Sequence, residues 1–288
     1  MSRLQTPAPA KVNLTLSVLA RRSDGYHELS SLVAFAAAGD ELSLKPGAGL
    51  ELIVDGPMAA AAGAVESNLV LKAARALQAR IEGVTLGRFA LTKHLPAGAG
   101  LGGGSADAAA ALRLIARAND LALSDARVIE AARATGADVP VCLEAKARLM
   151  HGIGEVLSAP LALPQLDAVI AFPGVPVATK DVFGNFTLVA GPRRKTRYAE
   201  AEIPSEREAL FSFLASEAND LELAARLVAP EIAEAKDLLA ATDACLARMT
   251  GSGSAVFALY DNAKLAKRAA AKITKRRPGW WVRQTTLA

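Results

Sequence analysis

The 288-residue chain is poor in the residues that usually announce a metal or disulfide scaffold. It has two cysteines, Cys142 and Cys245, and three histidines. Two distant cysteines cannot build a disulfide framework, and their expected state is buried and reduced, as in a cytosolic protein. With no CxxC and so little histidine, the common zinc patterns are excluded. Aromatic residues make up 5%, and none is interleaved with the basic runs. Long apolar runs are also lacking. Stretches such as 32–38 and 106–111, the latter interrupted by Asp107, fall far short of the roughly 18 residues a membrane span needs. The N-terminus lacks an apolar h-region, so no secretory signal is expected. Neither charge sign dominates: 33 Lys and Arg face 29 Asp and Glu, a net charge of +4. This suits a small anionic substrate and does not demand nucleic acid.

What is present is ordinary globular material, 52% hydrophobic and 22% charged, too apolar for disorder. The length suggests two domains or one large one. The first 60 residues alternate like strands. Val12, Leu14, Leu16 and Val18 interleave with Lys11, Asn13, Thr15 and Ser17, which predicts one half-buried strand with Lys11 and Asn13 on the same face. Asp24-Gly25 signals a turn, with apolar stretches over 29–35, 42–44 and 50–54 after it. Helices are expected over 68–80, 105–118 and 125–135, with Gly136 placed as a helix-ending residue. Proline and glycine become more frequent near 150, and a strand over 168–172 follows. Further helices are expected over 206–215, 221–227, 230–241 and 263–274, with strands over 255–260 and 280–285. The expected division is 1–155 and 156–288.

The most informative stretch is Pro96, Ala97, Gly98, Ala99, Gly100, Leu101, Gly102, Gly103, Gly104, Ser105, Ala106. Bare backbone lets anionic oxygens approach several N–H groups, and the helix that follows adds partial positive charge at its start. Walker A fails, because Ser105-Ala106 follow Gly104 where Lys-Ser/Thr is required. Gly98-x-Gly100-x-x-Gly103 matches the dinucleotide fingerprint literally, yet Asp120 and Asp125 flank a helix instead of ending a strand. A ligand-free turn is the third reading, disfavoured by the entropic cost of so many glycines. Asp107 follows in the first helical turn. A carboxylate there would repel phosphate, so its side chain is expected to face away from the phosphate or toward a metal.

Three motifs in order carry a resemblance. Pro96-x-Gly98-x-Gly100-Leu101-Gly102-Gly103-Gly104-Ser105 resembles the central ATP-binding motif of the GHMP kinases (galactose, homoserine, mevalonate and phosphomevalonate kinases). Pro9-Ala10-Lys11-Val12-Asn13-Leu14 and Thr250-Gly251-Ser252-Gly253-Ser254 stand where that family has its first and last motifs. The resemblance implies an α+β, two-domain fold: an N-terminal domain like ribosomal protein S5 domain 2 and a C-terminal ferredoxin-like sandwich. Subgroup features are Asp24-Gly25-Tyr26-His27-Glu28-Leu29, Thr135-Gly136-Ala137-Asp138-Val139-Pro140 and Gly152-Ile153-Gly154-Glu155. They resemble members that phosphorylate the tertiary 2-hydroxyl of 4-diphosphocytidyl-2-C-methyl-D-erythritol with ATP and Mg2+, in the non-mevalonate isoprenoid pathway.

By resemblance, Asp138 is the base and Lys11 its charge partner. An ammonium beside a carboxylate favours the charged form. Tyr26 would stack on cytosine, His27 bond its edge and Phe183 close the other face. Asn13 and Thr179 are candidate polar contacts to substrate. Asn68 would contact adenine, and taken alone it is an ordinary N-cap. Ser105 is the candidate phosphate or Mg2+ contact, and Gly251-Ser252-Gly253 a supporting turn. Two departures bear on pocket shape and nucleotide affinity. Val141-Cys142 replaces a frequent aromatic pair, and Ala106-Asp107 stands where many members have Ser-Asn. A cytoplasmic monomer or weak homodimer, binding neither nucleic acid nor membrane, is expected. The competing readings are a GHMP kinase for another small alcohol, a basic RNA-binding module and a nicotinamide oxidoreductase. Turnover assays, salt-sensitive RNA binding and NAD(P) binding separate them.

Overall fold

The computed structural model describes residues 2–187 and 198–288, so the basic run 193–197 lies outside the described residues. In chain order the elements are β1 (Leu4–Asn13), β2 (Ser17–Arg21), β3 (His27–Gly47), β4 (Leu50–Asp55), α1 (Leu69–Gln78), β5 (Leu86–Thr92), α2 (Gly103–Ala118), α3 (Ala126–Thr135), α4 (Val139–Cys142), β6 (Arg148–Gly152) and β7 (Val156–Leu157). Then come β8 (Leu166–Phe172), α5 (Thr179–Asn185), α6 (Arg207–Ser216), α7 (Glu222–Val228), α8 (Glu231–Ala240), β9 (Leu246–Met249), β10 (Val256–Tyr260), α9 (Ala263–Arg276) and β11 (Trp281–Leu287). Mixed strands and helices make this an α+β chain, as expected.

The chain divides into two units. One comprises the chain up to Lys11 with Gly39–Ala97 and Gly102–Ala145; the other comprises Val12–Ala38, Gly98–Leu101 and Lys146–Ala288. In the first unit, β5 runs antiparallel to the later part of β3, with Leu44 opposite Phe89. It runs parallel to β4, with Leu52 opposite Phe89. Helix α1 begins where the Asn68 side chain accepts from the Val70 N–H at 2.9 Å, satisfying one of the orphan donors of the first turn. Its buried stripe is Val70, Leu71, Ala73, Ala74 and Leu77, the spacing of one helical face. It packs against α2 and α3, and α2 packs against α4. Helix α2 is buried nearly all round because its contact residues are alanines, which let neighbouring backbones come close.

In the second unit, β11, β8, β10 and β9 form an antiparallel ladder, with Val256 opposite both Ala171 and Met249 and Val282 opposite Ala171. The apolar side of that ladder buries Val169, Ala171, Val256 and Ala258 against Ile232 and Leu239 of α8 and Ala266 and Ile273 of α9. The early part of β3 pairs with β2 and β6.

Several expectations change. The run 11–18 is two strands, and Val12 through Leu16 are buried without alternation. Both faces are covered, so Lys11 is 3% exposed instead of lying on the open face of a half-buried strand. The separate stretches over 29–35 and 42–44 lie in the single 21-residue strand β3. Gly136 ends α3 at φ 176°, in extended backbone and not the left-handed helix-ending conformation. Cys142 is buried as expected, but Cys245 is exposed. Short elements such as α4, α5, β6 and β9 carry too few residues for a periodic signal.

Candidate active site

In the first unit the chain entering α2 has no side-chain cap. Gly102 is its N-cap, in left-handed backbone at φ 63°, a conformation that glycine adopts without steric cost. The first helical bond is Ala106 N–H to Gly102 C=O at 2.8 Å. The N–H groups of Gly103, Gly104 and Ser105 precede it and have no intrahelical acceptor. Half-buried Gly103 and Ser105 and exposed Gly104 leave that start accessible. Together with the helix dipole this is an anion-binding end.

Lys11 runs alongside. A Cβ on Gly102 would stand 3.3 Å from Lys11 Cβ and 3.4 Å from its Cε. The Lys11 ammonium lies 3.4 Å from Asp138 Oδ2; the lysine side chain is 4% exposed and the aspartate 37%. Asp138 is the N-cap of α4 yet makes no capping bond. Val139, Pro140, Val141 and Cys142 behind it are all buried. This anchor fixes the backbone while the carboxylate points to Lys11 and stays open to solvent. Burial pushes the Cys142 thiol up to about 12, so it contributes no thiolate. Asn68 is half-buried, its side-chain oxygen occupied as the α1 cap. Pro96 and Ala106 are buried, and Ala97 is exposed.

A second lysine in this unit went unremarked in the sequence. Lys93 is buried and bonds two buried carboxylates, Asp40 in β3 and Asp107 in α2 at 2.7 Å. Asp107 Oδ1 has no hydrogen-bond partner. Burial pushes the Asp107 carboxyl up to about 7, against the pull of Lys93. Asp107 thus faces an ammonium, not a metal. Asp40 sits 53 residues before Lys93, and no local pattern joins them. The signal available was a charged residue inside each of two apolar stretches.

In the second unit, Gly98 and Gly100 sit in left-handed backbone, and a Cβ at Gly100 would meet the Thr250 and Gly253 carbonyls at 2.7 and 2.8 Å. The Thr250–Ser254 turn therefore lies against this stretch, as expected for a supporting turn. Ala255 N–H donates to Ala99 C=O at 3.0 Å. Ala99 and Leu101 are each 1% exposed, while Gly98 is exposed. Asn219 braces the turn by donating to the Met249 and Gly251 carbonyls. Thr179 opens α5, and its hydroxyl meets Ser252 Oγ at 2.9 Å. Asn13 is buried; its amide donates to Ser31 Oγ at 2.7 Å, and its backbone N–H donates to Thr250 Oγ1 at 2.8 Å.

Tyr26 follows the Asp24-Gly25 turn and is 61% exposed, an unusual setting for so large a ring. His27 stacks on Phe183, with centroids 4.7 Å apart at 21°, and meets Phe186 edge-on at 6.1 Å. Rings this close leave no space for a third between them. Phe186 is the member of this aromatic group that the sequence reading did not name. Burial, then the nearby Arg21, hold the His27 imidazole below its usual range, so it is neutral near pH 7 and can both donate and accept.

The model of the GHMP kinases N terminal domain matches residues 68–146, and that of the GHMP kinases C terminal matches 201–278. The chain belongs to the GHMP kinase family. Within it, the chain stands with the 4-diphosphocytidyl-2-C-methyl-D-erythritol kinases. It is 53% identical to the one from Xanthobacter autotrophicus and 52% identical to the one from Azorhizobium caulinodans, in both cases over 100% of each chain. The crystal structure of a 4-(cytidine 5'-diphospho)-2C-methyl-D-erythritol kinase superposes with a TM-score of 0.78 at 35% identity, covering 99% of each chain. No helix among the described residues is long and apolar enough to cross a membrane.

Proposed function

We propose that this chain transfers the γ-phosphoryl group of ATP to the tertiary 2-hydroxyl of 4-diphosphocytidyl-2-C-methyl-D-erythritol, in the non-mevalonate route to isoprenoid precursors. The observation that carries the reading is the Lys11–Asp138 pair at 3.4 Å, with the lysine stem against Gly102 of the glycine loop. A carboxylate that can take a proton thus accompanies a free helix start that can hold phosphate, within one unit.

Phosphoryl transfer asks for positioning and charge stabilisation more than for covalent chemistry. The N–H groups of Gly103, Gly104 and Ser105 hold phosphate oxygens, and the Asn68 side chain meets the adenine. Asp138 accepts the proton of the attacking hydroxyl. The hydroxyl oxygen bonds to the γ-phosphorus, the bond from that phosphorus to the β,γ-bridging oxygen breaks, and ADP leaves. Lys11 keeps the carboxylate ionised and offsets charge on the transferring group. Tyr26 gives the cytosine a platform and His27 an edge partner. Phe183 covers the opposite face once His27 leaves it. Thr179 supplies a polar contact, and Asn13 acts from beneath through Ser31 and Thr250.

Among the described residues no cluster of three or more His, Cys, Asp or Glu could hold a metal ion. The nearest carboxylate on α2, Asp107, is turned to Lys93. The donors fit Mg2+ brought in with the triphosphate, with the Ser105 hydroxyl as its protein contact. Bound there, the ion would neutralise charge on the phosphate oxygens. The reaction belongs in the cytoplasm, where ATP is made available, and is carried out by a monomer or weak homodimer.

The test is ADP release, coupled to a spectrophotometric readout, with the cytidyl substrate beside homoserine and mevalonate. Turnover with the first alone is expected. Equal or faster turnover of either other alcohol, or of the substrate's polyol phosphate without its cytidine, would overturn the assignment.

A further inference from the structure

The glycine loop is a poor candidate for self-support. Gly98, Gly100 and Gly102 occupy left-handed backbone, and α2 starts without a side-chain cap. Glycine is the residue that retains most freedom when nothing fixes it. A loop that must aim N–H groups at a polyphosphate therefore has to be held from outside itself. Preorganised donors are what make such a cradle effective.

In the first unit, one buried group reaches both ends of the loop. On the approach side, Asp40 Oδ1 accepts the backbone N–H of His94 at 2.5 Å and of Leu95 at 2.8 Å, immediately before Pro96. Its other oxygen, Oδ2, bonds the Lys93 ammonium. On the departure side, the same ammonium donates to Asp107 Oδ2 at 2.7 Å, in the second turn of α2. A Cβ on Gly103 would stand 3.5 Å from Lys93 Nζ, so the ammonium lies directly behind the first helical residue. All three residues are at most 5% exposed. Burying one ammonium with two carboxylates is expensive, and apolar residues of similar volume are often as stable or better. General stability does not account for so costly a group at the two ends of one loop.

We propose that Asp40, Lys93 and Asp107 are positioning residues for the nucleotide: a buried ionic clamp that fixes the span and aim of the glycine loop without touching ATP. The inference rests on the kinase reading above. The Asp107 end is the part to loosen, because Lys93 keeps Asp40 when Asp107 is removed and no charge is left unpaired.

The experiment compares Asp107→Ala and Asp107→Asn with the unaltered chain, by steady-state turnover at saturating and limiting ATP. Alanine cannot reach Lys93. Asparagine restores an acceptor oxygen at the same place. The clamp predicts a KM for ATP raised about tenfold in Asp107→Ala, with the KM for the alcohol substrate within twofold. It also predicts rescue of the ATP term by Asp107→Asn. A residue that only stabilises the fold would lower the melting temperature and leave the two KM values moving together, or neither moving. An unchanged KM for ATP in Asp107→Ala, or an asparagine variant as impaired as the alanine one, overturns the clamp. Should Asp107→Ala not fold, Asp107→Ser takes its place with the same criteria. Absence of ATP turnover in the unaltered chain would instead sink the kinase reading, so the two failures are distinct.

Discussion

The first unit buries two lysines, and they live in opposite circumstances. Lys11 faces Asp138, whose carboxylate is 37% exposed and makes no capping bond. Lys93 faces two carboxylates, both shut away from water, and one of them, Asp40, also accepts from backbone N–H groups on the way into the glycine loop. The open pair presents a carboxylate to solvent. The closed triad presents none. The difference shows that burial of a lysine by itself says little about its task. What decides is whether its partner is free to exchange a proton with something that arrives from solvent.

The largest separation between the two sites is expected in rate. Asp138→Asn keeps the shape and removes the base, so kcat should fall about 10³-fold, within the usual range for loss of a positioned proton acceptor. Nucleotide binding should persist, because the amide keeps an acceptor oxygen facing the buried Lys11 ammonium. Near-normal turnover would remove Asp138 from the base role and erase the contrast. Next comes stability. Lys93→Met leaves two buried carboxylates without their cation and should cost about 3–5 kcal/mol of unfolding free energy. A loss below 1 kcal/mol in urea unfolding would mean the triad is not sealed as described. The smallest effect belongs to the second unit. Tyr26→Ala should raise the KM for the cytidyl substrate about tenfold, the order of one base–aromatic stack, with the KM for ATP unchanged. A shift in the ATP value instead would break the assignment of the aromatic group to the base.

Much of the fold was legible because its signals are local. The α1 helix was readable from Asn68 and the apolar spacing behind it, and the structure shows both the cap and the buried stripe. The glycine turn and its following helix were readable from composition alone. Alternation over 11–18 reports one covered face and so predicts a half-buried strand, whereas Leu32 and Arg248, far along the sequence, bond the chain over 14–15 and both faces are covered. The Lys93 triad was illegible for the same reason at greater cost. Its three members come from a strand, a strand end and a helix, and only the folded chain gathers them. The His27–Phe183 stack was likewise invisible, since Phe183 lies 156 positions away on a helix too short to leave a periodic trace.

That stack has a bearing on affinity. A flat ligand that settles on Phe183 must first evict the imidazole already lying there, and an aromatic pair of this kind is worth about 0.5–1.5 kcal/mol beyond its area. The resident ring thus acts as a built-in competitor, discounting the grip on any newcomer by roughly two- to tenfold. A molecule that leaves the imidazole in place and extends it with a third layer would escape that discount altogether.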